Sequence, residues 1–261
     1  GYKRTQVSFA DLTYQTVSQV GTNSSDAGTI LPTGSQVGLG VGTGAISKDI
    51  AKSVSNYGKV KGIDNPEKFI KSGKSSYGAI KNLALIHCDI FDFEPNKKFD
   101  LIVSARVLQW LRNPKDALLK MKSLLKPKGQ ISILDYNHNT IEWNPEPPQS
   151  MKYFYEIFLK WRDDAGMNNA IADDLPALMK EIGMDHIEKL NSNEHYERHR
   201  SDFKSKVGIW SKVAESVQMV EEGYLNNDLR LKAIAEYNHW VENTAISMTM
   251  KLSETRGTLP H

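Results

Sequence analysis

The chain has 261 residues, enough for one large domain, or for one domain with an appended lid, and enough to bury a substantial core. Hydrophobic residues make up 39% and charged residues 25%, which excludes a disordered chain, and a formal net charge of +2 gives no electrostatic reason to expect a nucleic-acid partner. No apolar run approaches the roughly 18–20 residues of a membrane span, no charged-then-apolar leader opens the chain, and the one cysteine, Cys88, cannot close an internal disulfide; the expectation is a cytoplasmic protein with no membrane partner.

Residues 1–36 mix polar and aromatic residues without sustained periodicity, and Thr22 to Ser35 collects loop-forming types, so the segment reads as an N-terminal arm or lid. From Val37 to Ile46 three glycines alternate, at Gly40, Gly42 and Gly44, ahead of an amphipathic run at Ile46, Ile50 and Val54. Glycines this dense cost backbone entropy inside regular structure. They suit a strand-to-helix turn that brings backbone and a helix N-terminus close to a ligand. A flexible Gly/Thr/Ser loop is the alternative.

Short apolar runs then alternate with helical stretches. Val60–Ile63, Leu83–Ile86, Phe99–Val103 and Ile131–Leu134 read as strands. Asn65-Pro66 and Asn113-Pro114 each pair a helix cap with proline at the first helical position, and Lys126-Pro127-Lys128-Gly129 stops the second helix. After Asn137 the pattern changes: a proline-rich connection, an aromatic helix with Tyr153, Phe154, Tyr155, Phe158 and Trp161, and a short helix capped by Asp174 make residues 138–183 a helical insertion. A strand at His186–Leu190, a helix from Asp202, another from about Asp228 to Val241, and an alternating strand at Ile246–Leu252 complete the chain. The predicted fold is α/β and doubly wound, a mostly parallel seven-stranded sheet with an antiparallel terminal strand and a domain spanning 37–261.

In such sheets ligands bind at the carboxyl ends of strands, where the strand order reverses. The glycine turn, Asp64, Asp89 and Ser104-Ala105-Arg106 all fall there. An acid about 20 residues beyond the glycines is placed to accept hydrogen bonds from two ribose hydroxyls; helix capping beside Asn65 is the structural alternative.

Together these segments resemble the class I S-adenosylmethionine-dependent methyltransferases of the small-molecule type, over about residues 37–137. Gly40-Val41-Gly42-Thr43-Gly44 is similar to the family's glycine motif, Asp64 to its ribose acid, and Asp89 within His87-Cys88-Asp89-Ile90-Phe91-Asp92 to its adenine-edge acid. Phe99 to Leu111 and Leu124 to Gln130 are similar to its fourth strand and to its turn into the fifth. The resemblance implies S-adenosylmethionine as cofactor and S-adenosylhomocysteine as product. It implies Gly40, Gly42 and Gly44 at the methionine end, Asp64 on the ribose, Asp89 and the Ile90 amide on the adenine, and Ser104 and Ala105 beside the methionine portion. The chain departs from the family at Gly38, where an acidic residue is usual, and in a first strand with only Val37 and Leu39 as apolar residues.

The implied reaction transfers a methyl group to an oxygen, nitrogen or carbon nucleophile of a small-molecule acceptor, with no metal. A sulfonium already activates the methyl group, so side chains mainly align the acceptor. His138 is the candidate base, with a solvated loop histidine as the alternative, and Arg106 is a candidate contact to an anionic acceptor, with a surface or cofactor-facing arginine as the alternative. The aromatic helix and Trp143 either wall the acceptor or form the insertion's core. Glu194, His195 and His199 read as a solvated charged connection, because no third metal ligand accompanies the histidines. A nicotinamide-dependent oxidoreductase and a cofactor-binding protein without catalysis are the competing functions.

Overall fold

A computed structural model describes residues 34–54 and 58–261. The arm or lid expected over 1–36 therefore lies almost wholly outside the described residues. The first strand, β1 (Ser35–Leu39), leads through the glycine turn into α1 (Ala45–Ser53), which buries Ala45, Ser47, Ile50 and Ala51 on one face. β2 (Lys59–Asp64), α2 (Glu67–Tyr77), β3 (Leu83–His87) and β4 (Phe99–Ala105) follow the predicted alternation. After a single 3-10 turn at Leu108–Trp110, α3 (Pro114–Ser123) starts at the predicted proline and buries Ala117, Leu118 and Met121.

The sheet runs β3-β2-β1-β4 and on through β5 (Leu125–Asn144), β8 (Ser247–Thr258) and β6 (Asp185–Asn191), with β7 (Glu194–Glu197) paired to β8. β1 is parallel to β2 and β4, and β8 is antiparallel to β5, β6 and β7. The expected doubly wound sheet with a reversed terminal strand is present, with eight strands among the described residues rather than seven, and the reversed strand lies between β5 and β6.

Four local predictions are corrected. β5 continues to Asn144 after a register shift between Asn137 and Glu142, so residues 138–144 are strand and not helical insertion. Asp174 lies in the first turn of α5 (Ile171–Glu181), three residues past its start, and does not cap it. The helix expected from Asp202 is three short ones, α6 (Phe203–Val207), α7 (Ile209–Ala214) and α8 (Gln218–Glu221), because the chain breaks at Gly208 and again at Glu215–Val217. Ile246 precedes β8 and is exposed.

Two large cores result. One lies between the sheet and α3 and α5, with Leu39, Ile102, Leu118, Met121, Ile133 and Leu175. The other is aromatic and lies in a helical cap built from α4 (Gln149–Asp164), α6 to α8 and α9 (Asn227–Asn243), with the far ends of β5 and β8. Phe154, Phe158 and Trp161 are buried there, which places the aromatic helix in the cap's core. No helix among the described residues is long and apolar enough to cross a membrane.

Phe158 is 1% exposed and meets Trp210 edge-on at 5.6 Å between ring centroids. Phe158→Ala will lower the unfolding free energy by about 3–5 kcal/mol. Tyr153→Ala on the exposed face of the same helix will change it by less than about 0.5 kcal/mol, both read from urea unfolding curves.

Candidate functional site

The strand order reverses between β1 and β4, and the loops leaving these two strands meet. Gly40 has φ +67°, and a Cβ there would sit 2.4 Å from Val107 Cγ2, so only glycine fits between the two loops. The amides of Gly40 and Val41 both donate to the carbonyl of Ile63, at 2.9 and 3.2 Å, which folds the turn back onto the end of β2. Gly42 has φ +57°, yet among the described residues nothing lies within 4 Å of where its Cβ would be. The turn is thus packed at Gly40 and Gly44 and open at Gly42. Gly44, at φ +87°, ends the turn as the N-cap of α1, and no side chain caps that helix.

Asp64 ends β2 with its carboxylate against the turn: Oδ2 accepts from the Gly42 amide at 2.6 Å and Oδ1 from the Asn65 amide at 2.8 Å. Asn65 Nδ2 donates to Asp89 at 3.3 Å, and Asp89 also accepts from the Phe91 amide at 3.0 Å. The structure therefore brings the glycine turn, Asp64 and Asp89 together along the carboxyl ends of β1, β2 and β3. The Ile90 side chain is buried in the core beneath them. Ser104 is buried and donates its hydroxyl to the Leu39 carbonyl at 3.1 Å, so its side chain clamps β4 to β1, while Ala105 beside it is partly exposed.

Beyond Ala105 the backbone of Arg106 turns left-handed, at φ +60°, while its amide still donates to the Leu134 carbonyl of β5 at 2.7 Å. A non-glycine residue held there is strained, and such strain gathers at ligand clamps. The Arg106 guanidinium is 2% exposed, pairs through Nη2 with Glu194 of β7, and lies over the Tyr136 ring at 5.1 Å. Glu194 also accepts from the Tyr136 hydroxyl at 3.1 Å. Glu194 is thus the partly buried partner of Arg106, not part of a solvated connection. His195 and His199 are exposed, and each lies near Glu197, at 3.4 and 3.3 Å.

His138 is not a solvated loop residue. It is 5% exposed, in β5, between Tyr136, Phe158 and Trp210. Burial, reinforced by the nearby Arg162 charge, holds its imidazole well below the usual histidine range. Nε2 is 2.5 Å from Gln109 Oε1, and because the Gln109 amide nitrogen donates to the Arg106 carbonyl, Nε2 carries the ring proton.

Sequence reasoning passed over the group that organises this region. Asp135 is fully buried in β5 and accepts from the amides of Gln109 at 3.2 Å and Tyr136 at 3.1 Å. Burial outweighs these bonds and pushes its carboxyl up to about 7. Arg162 of α4, also fully buried, donates to the Gln109 carbonyl at 2.8 Å and to Asn169 at 2.6 Å, and burial pulls it down to about 10. Its signal was periodicity: it stands four residues after Phe158, on the buried face of the helix.

Residues 35–197 match the family described as a methyltransferase domain. The chain belongs to the class I S-adenosylmethionine-dependent methyltransferases. Among curated relatives, it is 34% identical to a malonyl-acyl-carrier-protein O-methyltransferase of Ilyobacter polytropus over 102 residues, 39% of each chain. It is 31% identical to a demethylmenaquinone methyltransferase of Staphylococcus aureus over 122 residues, 46% of this chain and 47% of the relative. The chain thus spans less than half the length of these two relatives. The structure of phosphoethanolamine N-methyltransferase 2 of Haemonchus contortus superposes with a TM-score of 0.55 at 14% identity, over 90% of this chain and 50% of that one, and shares the fold.

Within this methyltransferase domain, Asp135 binds a proton more readily folded than unfolded. Its unfolded value is near 3.8 and its folded value about 7, so ionisation opposes folding, and its contribution to stability falls as pH rises from about 4 to about 7. Relative to Asp135→Asn, the wild-type domain will lose stability across that window with a slope approaching about 1.4 kcal/mol per pH unit, and the difference will level off above it. Chemical denaturation of both proteins at a series of pH values measures this; a difference that stays flat would place the Asp135 carboxyl in its ordinary range.

Proposed function

We propose that this domain binds S-adenosylmethionine and transfers its methyl group to an oxygen, nitrogen or carbon nucleophile of a small-molecule acceptor, releasing S-adenosylhomocysteine. The observation that carries the reading is the geometry at Gly42: a left-handed, uncovered turn residue whose amide is fixed by Asp64 at 2.6 Å. A turn that is packed on one side and bare on the other is a cradle for a ligand that lies flat against backbone. Asp64 would hold the ribose hydroxyls, Asp89 and the Ile90 amide the adenine, and Gly40, Gly42, Gly44 and the backbone at Ser104 and Ala105 the methionine portion. The sulfonium supplies an activated methyl electrophile when bound.

The chain's own residues then have to align an acceptor and keep water away. The helical cap is suited to this. It packs over the carboxyl ends of β4 and β5, with Arg162 of α4 donating to the Gln109 carbonyl and His138 packed on Trp210. Such a closed cap, and a net charge near zero, favour a compact soluble acceptor over a nucleic acid. His138, neutral and bonded through Nε2 to Gln109, acts in this reading as a positioning residue, because Gln109 in turn holds the Arg106 carbonyl. A nucleophile that is already deprotonated needs no base from the protein.

Label from methyl-tritiated S-adenosylmethionine will pass to an acceptor, whereas no change in nicotinamide absorbance will be seen. In calorimetry Asp64→Ala will weaken S-adenosylhomocysteine binding by about tenfold or more, as unpaired ribose hydroxyls cost on the order of 1–3 kcal/mol. Gly42→Ala will stay folded at a cost of about 1–2 kcal/mol for its left-handed backbone and will bind the product still more weakly. Absence of binding by the wild-type protein at on the order of 1 mM, equivalent to about 4 kcal/mol, would sink the reading.

A further inference from the structure

We propose that the acceptor is anchored through an oxyanion, a carboxylate or a phosphate, received by the guanidinium of Arg106 and the ammonium of Lys206 at the carboxyl end of β4. The inference rests on the methyltransferase reading and names the class of acceptor.

The charges around Glu194 do not balance. Arg106 gives one of its nitrogens, Nη2, to the Glu194 carboxylate, and its Nε and Nη1, both buried, have no hydrogen-bond partner among the described residues. Glu194 is already engaged from the other side: the hydroxyls of Tyr136 and Tyr196 both bond to it. Lys206, on α6, is 7% exposed and lies 5.9 Å over the Tyr196 ring. Among the described residues it forms no ion pair, and burial holds its ammonium below the usual lysine range. Arg200 also faces Tyr196, but Asp202 takes its guanidinium through two bonds of 2.9 Å. Apart from the Arg200–Asp202 pair, and from the Asp135 carboxyl near Arg106, whose proton burial holds up to about pH 7, the cluster sets two cations, Arg106 and Lys206, against one anion, Glu194.

An arginine that served only to lock β4 to β7 would be complete with Glu194, and a second buried ammonium beside it would only add repulsion. One anion repairs both defects: it matches the surplus charge and meets the unpartnered guanidinium donors. Carboxylate and phosphate oxygens suit that planar set of donors, because charge-assisted bonds to guanidinium are short and directional.

The position separates this anion from the cofactor. Asp64 and Asp89 lie at the ends of β2 and β3, on one side of β1, whereas Arg106 follows β4 on the other side and pairs with Glu194 of β7. The left-handed φ of Arg106 falls one residue past the strand, and such strain gathers at ligand-binding segments.

The test uses the full chain loaded with S-adenosylhomocysteine, in the wild type, Lys206→Gln and Arg106→Lys. Thermal unfolding is followed with sodium propionate, inorganic phosphate, or sodium chloride at equal ionic strength. The wild type will be stabilised by propionate or phosphate beyond chloride, and the anion that does so names the acceptor's group. Lys206→Gln will bind that anion about tenfold or more weakly, while its affinity for S-adenosylhomocysteine, by calorimetry, stays within about twofold. Arg106→Lys keeps a charge opposite Glu194 but loses the fork, and will lose the anion response as well. No anion-specific stabilisation of the loaded wild type, or an undiminished response in Lys206→Gln, overturns the subsite. An anion response that depends on Lys206 in a protein that fails to bind S-adenosylhomocysteine would instead retain the anion site and overturn the methyltransferase reading.

Discussion

The hydrogen bond from the Gly42 amide to the Asp64 carboxylate fixes the geometry on which the site depends. Strand order must reverse somewhere in a doubly wound sheet, and the two loops that leave in opposite directions open a crevice there. An unsupported glycine turn at that point would sample many conformations. Here three amides of the turn are met by the end of one neighbouring strand, two by the Ile63 carbonyl and one by Asp64. The turn is therefore held from below, and among the described residues nothing lies within 4 Å of where a Cβ at Gly42 would be. Asp64 does not cap the helix that follows it, whose N-cap is Pro66; its carboxylate is held by the Gly42 and Asn65 amides, and on the proposed reading the same carboxylate would also meet the ribose.

The sheet up to β4 was legible because its signals are local. Short apolar runs bounded by Asp, Gly and Lys become buried parallel strands, and Asn113-Pro114 opens a helix for reasons that involve only a few neighbouring residues. The family's site residues fall on this legible part. What was not legible depends on distant partners. Beyond Asn137, β5 is half exposed, with Ile141 and Trp143 alternating with polar residues, and its pairing is set by β8, more than a hundred residues later. Glu194 and Tyr196 carry the same period of two, facing inward between exposed His195 and Glu197, but four residues beside a charged stretch do not distinguish a strand from a loop. The role of Glu194 then follows from Arg106, 88 residues away.

The cap is joined to the sheet by polar groups as well as by its aromatic core. Gln109 is the junction: its amide donates to Asp135 of β5, its carbonyl accepts from Arg162 of α4, and its side chain links His138 to Arg106. Burying Asp135 and Arg162 is costly for each, and the opposite shifts of their proton affinities express that cost. What the network provides is register. Apolar packing between cap and sheet tolerates sliding by small displacements, whereas a chain of directional bonds through one glutamine does not. On the proposed reading, an acceptor held by the cap would thereby keep a fixed relation to a cofactor held by the sheet.

Gly38 stands where the family usually carries an acid, and its surroundings show a changed packing solution rather than a lost side chain. Gly38 pairs in register with Gly62 of β2, and the two glycines lie side by side beneath α1. A Cβ at either position would come within 2.9 Å of Ser47 Oγ, and at Gly38 also within 2.7 Å of Val41 Cγ1. The helix thus settles onto two bare strand positions, with fully buried Ser47 filling the gap, its hydroxyl without a partner. An acid could not return at Gly38 alone; α1 would have to lift. On the proposed reading, recognition of the cofactor's amino-acid end falls to the main chain of the turn and to the N-terminus of α1, which carries no side-chain cap and no acidic residue in its first turn. That makes the conformation of the turn, and so the bond between Gly42 and Asp64, more important in this chain than in one that keeps the acid.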